Sequence, residues 1–225
     1  RVTGDFTDAH IEAEWKAIES SIYYESPKLY KENGFKERVD AQALIDSFSG
    51  KDAIIQTLEK GTARKKAPLL FNLAELQAEC SKRFKISPDE TLQVAQDLYE
   101  KLTTYPRTDA RVLTTAVAKE ISKNLYKLRD YTPTQKFTQT ILQNKSYTHL
   151  ANTQYTDDSK VTDHYAIIPT GQLTELGTLS PLQQKVYDLI VRRFLSIFYP
   201  AAEYQTLKLV IQIDKESLFT SAKVL

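Results

Sequence analysis

The sequence predicts an α+β protein in which a helical domain is inserted into a β domain. Three observations carry this. Apolar and polar residues alternate near the start (Ala9, Ile11, Ala13, Trp15) and near the end (Leu207, Leu209, Ile211, Ile213), the period of half-buried strands. Between them lie segments with helical spacing and sequence-level caps. The 225 residues are 41% hydrophobic and 26% charged, ordinary values for one or two soluble globular domains.

The elements follow in order. The first strand has His10, Glu12 and Glu14 on its polar face. Residues 35–60 mix short extended and helical signals and receive no assignment. Lys60-Gly61-Thr62-Ala63-Arg64-Lys65-Lys66 is basic and contains glycine, so it reads as a linker or turn, a solvated loop rather than a binding patch. Asn72 with Glu75 forms a cap pair ahead of a stripe of Leu73, Leu76, Cys80 and Phe84. A short turn at Lys85-Ile86 leads to Ser87-Pro88-Asp89-Glu90, with serine at the cap, proline at the first helical position and glutamate closing the box. The stripe of that helix is Leu92, Ala95, Leu98, Tyr99 and Leu102. Two helices so tightly joined form either a helix-turn-helix or an ordinary helical hairpin.

A third helix is expected from Asp109 to about Leu128, capped by Thr108 or Asp109. Residues 145–170 are polar and loop-rich. Ser180-Pro181-Leu182-Gln183 repeats the start signal; the helix after it carries Leu182, Val186, Leu189, Ile190 and Phe194 and stops at Pro200. The domain boundaries read from this are residues 1–66 with 201–225 for the β-rich part and 67–200 for the helical part.

Composition excludes several classes. No apolar run of about 18 residues exists, so no transmembrane helix is expected. The first residues have no apolar core of a signal peptide. The lone cysteine, Cys80, cannot form an internal disulfide, which suits a reducing compartment. Thirty basic against 29 acidic residues leave a net charge of +1, which does not advertise a nucleic-acid partner. His10, His149 and His164 with one cysteine do not make a zinc site, and no glycine-rich phosphate loop or nucleophile elbow is present. Methionine is absent altogether.

Two stretches remain that bear chemistry. In Thr103-Thr104-Tyr105-Pro106-Arg107-Thr108-Asp109, Pro106 stiffens the backbone and pushes Tyr105 into an extended conformation. Tyr105 and Arg107, two apart on an extended segment, point the same way. A phenol is a poor nucleophile at pH 7, and a nearby guanidinium favours the phenolate and clamps a phosphate. Spacing alone favours a structural tyrosine beside a surface arginine. In Thr162-Asp163-His164-Tyr165-Ala166-Ile167-Ile168-Pro169-Thr170, Asp163 or Thr162 offers a cap and His164 a donor to phosphate; the alternative is a buried, hydrogen-bonded histidine.

These two motifs, about sixty positions apart and in this order, resemble the type IA DNA topoisomerases. Tyr105-Pro106-Arg107-Thr108-Asp109 is similar to the family's active-site tyrosine motif, and Asp163 to Thr170 to its histidine motif. Pro68 to Gln77 and Thr91 to Glu100 are similar to its helix segments upstream. The blocks cover residues 68–170. Pro106 after the tyrosine and Ile168 before Pro169 lean toward the topoisomerase III branch. Ala110 stands where the family commonly has serine, and Tyr165 where topoisomerase III members often have a second histidine. The segment from Gln96 to Tyr105 is shorter than the resemblance predicts, and with methionine absent the expectation is a missing methionine-type residue between Lys101 and Leu102.

The resemblance implies a helix-turn-helix-containing, CAP-like domain with the catalytic tyrosine, inserted in a β-rich arch or hinge domain. It implies that Tyr105 attacks single-stranded DNA to form a transient 5′-phosphotyrosyl link for strand passage, resealed without ATP. Arg107 would stabilise the scissile phosphate and His164 would contact it. Thr104, Gln96, Glu100, Asp109 and Asp163 would line the DNA. The family's Mg²⁺ is held by an acidic cluster in a Toprim domain, and no such cluster is readable here, so an internal fragment, inactive alone, is expected. Its partners would be single-stranded DNA, the Toprim-containing remainder of the polypeptide and a helicase, with no membrane, in the bacterial cytoplasm at the nucleoid. The competing reading is a non-catalytic helix-turn-helix module on duplex DNA. Gln93, Asp97 and Glu100 make residues 88–102 poor groove readers. Tyrosine recombinases and rolling-circle initiators need histidine and arginine motifs that the chain lacks.

Overall fold

A computed structural model describes residues 3–6, 9–99 and 101–225, with backbone alone for the first six of these positions. The chain divides into two compact units: Arg1–Lys65 with Ala202–Leu225, and Lys66–Ala201.

The first unit is mostly sheet. β1 (Thr3–Phe6) and β2 (Ala9–Glu12) form an antiparallel hairpin. β3 (Glu14–Lys16) pairs elsewhere, so the single strand expected over residues 9–15 is split at Ala13. β4 (Leu29–Lys31) and β5 (Gly34–Phe35) make a second small hairpin, and α1 spans Arg38–Phe48. Then come β6 (Ile54–Lys65), β7 (Ala202–Ile213) and β8 (Glu216–Val224), in a four-stranded sheet of order β3-β8-β7-β6. Residues 60–65 are therefore strand rather than the expected loop. Lys60 pairs with Leu207, Gly61 with Thr206 and Lys65 with Ala202. Its exposed edge position explains the polar, basic composition that imitates a linker.

The core of this unit is small. Ala13, Trp15, Ala17, Leu44, Ile211 and Leu218 are buried together. Trp15 stacks on Phe35 at 5.1 Å, and Tyr23 meets both rings edge-on. Glu216, 4% exposed, accepts from Trp15 Nε1 at 2.6 Å, Ser21 Oγ at 2.7 Å and the Ile22 N–H at 3.1 Å.

The second unit is helical around irregular extended segments. α2 (Leu73–Phe84) starts at Asn72, whose Oδ1 accepts from the Glu75 N–H at 2.9 Å. The Glu75 carboxylate does not reach back; it pairs with Arg111 at 3.1 Å. α2 ends at Lys85, in the left-handed region at φ 61°. Three residues later α3 (Pro88–Leu98) begins, and the Ser87 hydroxyl accepts from the Glu90 N–H at 3.1 Å. The buried face of α3 is Thr91, Val94, Ala95 and Leu98, while Tyr99 lies past the helix end and is exposed, a correction to the expected stripe.

The expected helix over residues 109–128 is shorter. α4 spans Thr115–Glu120 and α5 spans Ser122–Leu128; the cap is Thr114, whose hydroxyl accepts from the Val117 N–H at 3.2 Å. Residues 110–113 stay extended because their backbone is taken by distant partners. Leu70 N–H donates to Arg111 O, Ala166 N–H to Val112 O, and Leu113 N–H to Tyr155 O. α6 (Gln135–Gln143) and α7 (Pro181–Ser196) complete the unit. Ser180 and Gln183 close a full capping box on α7, which buries Val186, Tyr187, Ile190, Val191 and Phe194 in the main core.

Candidate active site

The tyrosine motif is held as an extended loop against the histidine motif. Thr104 makes the clamp. Its N–H donates to Ile168 O at 2.9 Å, its hydroxyl donates to Ala166 O at 3.0 Å, and the Ile168 N–H donates back to that hydroxyl at 3.0 Å. Ile167 N–H donates to Phe71 O at 2.8 Å, so the segment before α2 forms the other side. Downstream, the Thr108 hydroxyl donates to His164 O at 2.7 Å and accepts from the Ala110 N–H at 3.1 Å. Beyond the loop, the Thr170 hydroxyl donates to Lys101 O at 2.7 Å. At that turn the Leu102 and Thr103 N–H groups both donate to Leu98 O.

This lattice brings Tyr105 and His164 together. Their ring centroids are 4.3 Å apart at 40°. Tyr99 meets Tyr105 edge-on at 5.3 Å. Tyr99, Thr103, Thr104, Tyr105, His164, Tyr165 and Thr170 line an open cleft of about 430 Å³. Tyr105 is half-buried, and His164 and Asp163 are exposed. Burial pushes the Tyr165 phenol above its ordinary value.

Arg107 is exposed and tethered to α3. With the Gln96 amide oriented to satisfy both groups, its oxygen accepts from Arg107 Nη2 at 3.0 Å and Nε at 3.1 Å. Among the described residues no carboxylate forms an ion pair with this guanidinium. The exposed Asp109 has its carbonyl held by Asn72 Nδ2 at 3.1 Å. Glu100 lies outside the described residues.

The structure thus gathers Tyr105, His164 and Thr104, ties Arg107 to Gln96, and leaves Asp109 and Asp163 at the surface. Thr104 contributes hydrogen bonds to backbone. One cleft residue escapes the sequence reading, Tyr99, which helical periodicity assigns to the core; Thr103 and Thr170 stand at the ends of the two quoted stretches but receive no role there. Among the described residues no group of three or more His, Cys, Asp or Glu side chains converges to hold a metal ion, so this part of the chain does not fit a Mg²⁺ site. No helix among them is long and apolar enough to cross a membrane.

A family model described as DNA topoisomerase matches residues 6–225. The chain belongs to the type IA DNA topoisomerase family. Its relatives include DNA topoisomerase 3 of Bacillus subtilis (strain 168), 35% identical over 205 residues, which span 90% of this chain and 28% of that protein. DNA topoisomerase 3 of Bacillus licheniformis is 36% identical over the same length and shares. The chain therefore spans 28% of the length of these topoisomerases. Full-length topoisomerase I from Thermotoga maritima shares the fold at a TM-score of 0.56 and 20% identity, over 86% of this chain and 31% of that one.

Proposed function

We propose that this chain is the tyrosine-bearing part of a type IA topoisomerase and that Tyr105 is its nucleophile. The observation that carries the reading is the Tyr105–His164 pair in an open cleft, with ring centroids 4.3 Å apart. The Tyr105 oxygen attacks the phosphorus of single-stranded DNA and loses its proton. An O–P bond to tyrosine forms, the P–O3′ bond breaks, and the freed 3′-oxygen takes up a proton. The 5′-phosphotyrosyl link stores the energy of the broken diester. Attack of the 3′-hydroxyl on that link reverses every bond change, so no ATP is consumed.

Arg107 offers the phosphate a bidentate cation, and its tether to Gln96 fixes the fork before DNA arrives. His164, exposed beside Tyr105, donates to a phosphate oxygen. Asp163 and Asp109, both exposed, would line the DNA.

The remainder of the polypeptide would supply a Toprim domain and its Mg²⁺, and a helicase would supply the single-stranded substrate, at the bacterial nucleoid. The isolated chain neither cleaves nor relaxes DNA in this reading. The test adds a Toprim-containing fragment, Mg²⁺ and end-labelled single-stranded DNA to the chain. A covalent adduct lost in Tyr105→Phe supports the assignment. An adduct that persists in that variant refutes the nucleophile, and relaxation of plasmid by the pure chain refutes its inactivity.

A further inference from the structure

Tyr99 stands at the edge of the cleft with part of its side chain open to solvent. It is 36% exposed, and among the described residues its ring neighbour is Tyr105, the two planes at 76°. Among the described residues its hydroxyl has no hydrogen-bond partner. Its backbone, in contrast, is pinned. As the cap of α3 its N–H donates to Gln96 O at 3.1 Å, and it bridges Thr103 in parallel register. The ring is therefore presented from a fixed backbone, at an amphipathic surface whose wetting costs free energy.

The other phenol rings of the cleft are less exposed. Tyr105 is engaged on two sides, by Tyr99 and by His164. Tyr165 is half-buried. Tyr99 is the most exposed phenol ring of the cleft and lies next to the tyrosine that meets the phosphate. We propose that Tyr99 is the stacking platform for one unpaired nucleobase adjoining the phosphate that Tyr105 addresses. This rests on the reading of Tyr105 as the residue that meets the DNA backbone. Every base has a π-face, so the platform selects for an unstacked, single-stranded nucleotide and not for base identity. A base within a duplex is covered by its neighbours and has no face to give. Tyr99 touches the substrate but none of the reacting atoms, so it acts as a positioning residue.

The test is a scan of a short oligodeoxynucleotide with 2-aminopurine placed at each position in turn, titrated with the 225-residue chain. One position should be strongly quenched in the parent, kept in Tyr99→Phe and Tyr99→Trp, and lost in Tyr99→Leu, which retains bulk against Tyr105 without a stacking face. Affinity in Tyr99→Leu should fall about tenfold, which is ~1.4 kcal/mol. An abasic sugar at the quenched position should weaken the parent equally and leave Tyr99→Leu unchanged. Uniform fluorescence along the oligonucleotide, or undiminished binding by Tyr99→Leu, overturns the proposal. Should Tyr99→Leu fail to fold, the scan of the parent and of Tyr99→Phe decides alone. These readouts need no covalent adduct, so a wrong assignment of Tyr105 as nucleophile would show separately.

Discussion

The Thr108 hydroxyl donates to the backbone carbonyl of His164 at 2.7 Å, across 56 residues of sequence. Thr108 is 6% exposed, and the same oxygen accepts from the Ala110 N–H. One hydroxyl thus ties the loop of Tyr105 to the backbone of the histidine that faces it. Thr108→Val leaves the part-buried His164 carbonyl and the buried Ala110 N–H without this partner, and unfolding in urea should show a loss of ~1–3 kcal/mol. Thr108→Ser keeps the oxygen and should recover most of it. Oligonucleotide binding should weaken in the valine variant even where the protein remains folded.

Gly171 adopts φ +85°, and a Cβ there would lie 2.6 Å from Lys127 Cβ and 2.8 Å from Asn124 O. Helix α5 docks against this segment, with Asn124 Nδ2 donating to Pro169 O at 2.9 Å. Gly50 has a similar φ, +72°, but nothing within 4 Å of its Cβ position. Gly50→Ala should cost only the left-handed backbone penalty, ~1–2 kcal/mol. Gly171→Ala adds a collision with backbone and should cost more. Thermal unfolding of the two variants checks the order.

Trp15 is the one tryptophan, so its fluorescence reports on the unit that holds β3. Its indole N–H, the Ser21 hydroxyl and the Ile22 N–H all end on the Glu216 carboxylate. Glu216→Leu strands three donors in a buried place and should cost ~2–4 kcal/mol. Urea titration should move the tryptophan transition to lower denaturant, while the far-ultraviolet signal of the helical unit holds better.

Burial pushes the Cys80 thiol from 9.0 to about 11. The folded state therefore keeps its proton where the unfolded chain has lost it. The unfolded state binds fewer protons between those values, so stability is full below pH 9 and falls as pH rises toward 11. The loss attributable to this thiol should be at most ~3 kcal/mol, and Cys80→Ala should lessen the decline. Burial also raises Tyr131 and Tyr187, which adds to the alkaline loss in both proteins. The same burial predicts no reaction of Cys80 with Ellman's reagent at pH 8 until the protein is unfolded.

Much of the α and β content is legible in the sequence because its signals are local. Asn72, Ser87 and Ser180 mark helix starts by accepting bonds from residues three positions on, and those bonds form in the structure. Alternation predicts the strand that holds Leu209 and Ile211. The candidate site is legible as two motifs of unusual residue types. Their meeting is not, because no spacing rule says that Thr104 will bond to Ala166 and Ile168.

The sequence by itself determined where helices begin, which stretches alternate, and which tyrosine, arginine and histidine stand in motifs. These follow from interactions over a few residues. Tertiary structure alone decided the rest. Residues 110–113 forgo a helix because Leu70, Tyr155 and Ala166 take their backbone bonds. Residues 60–65 become strand because β7 supplies a ladder. Tyr99, apolar enough for a core, is left facing a cleft because α3 ends one residue before it and its ring packs against Tyr105. In each case the deciding partner lies far away in the chain, where local propensity carries no information.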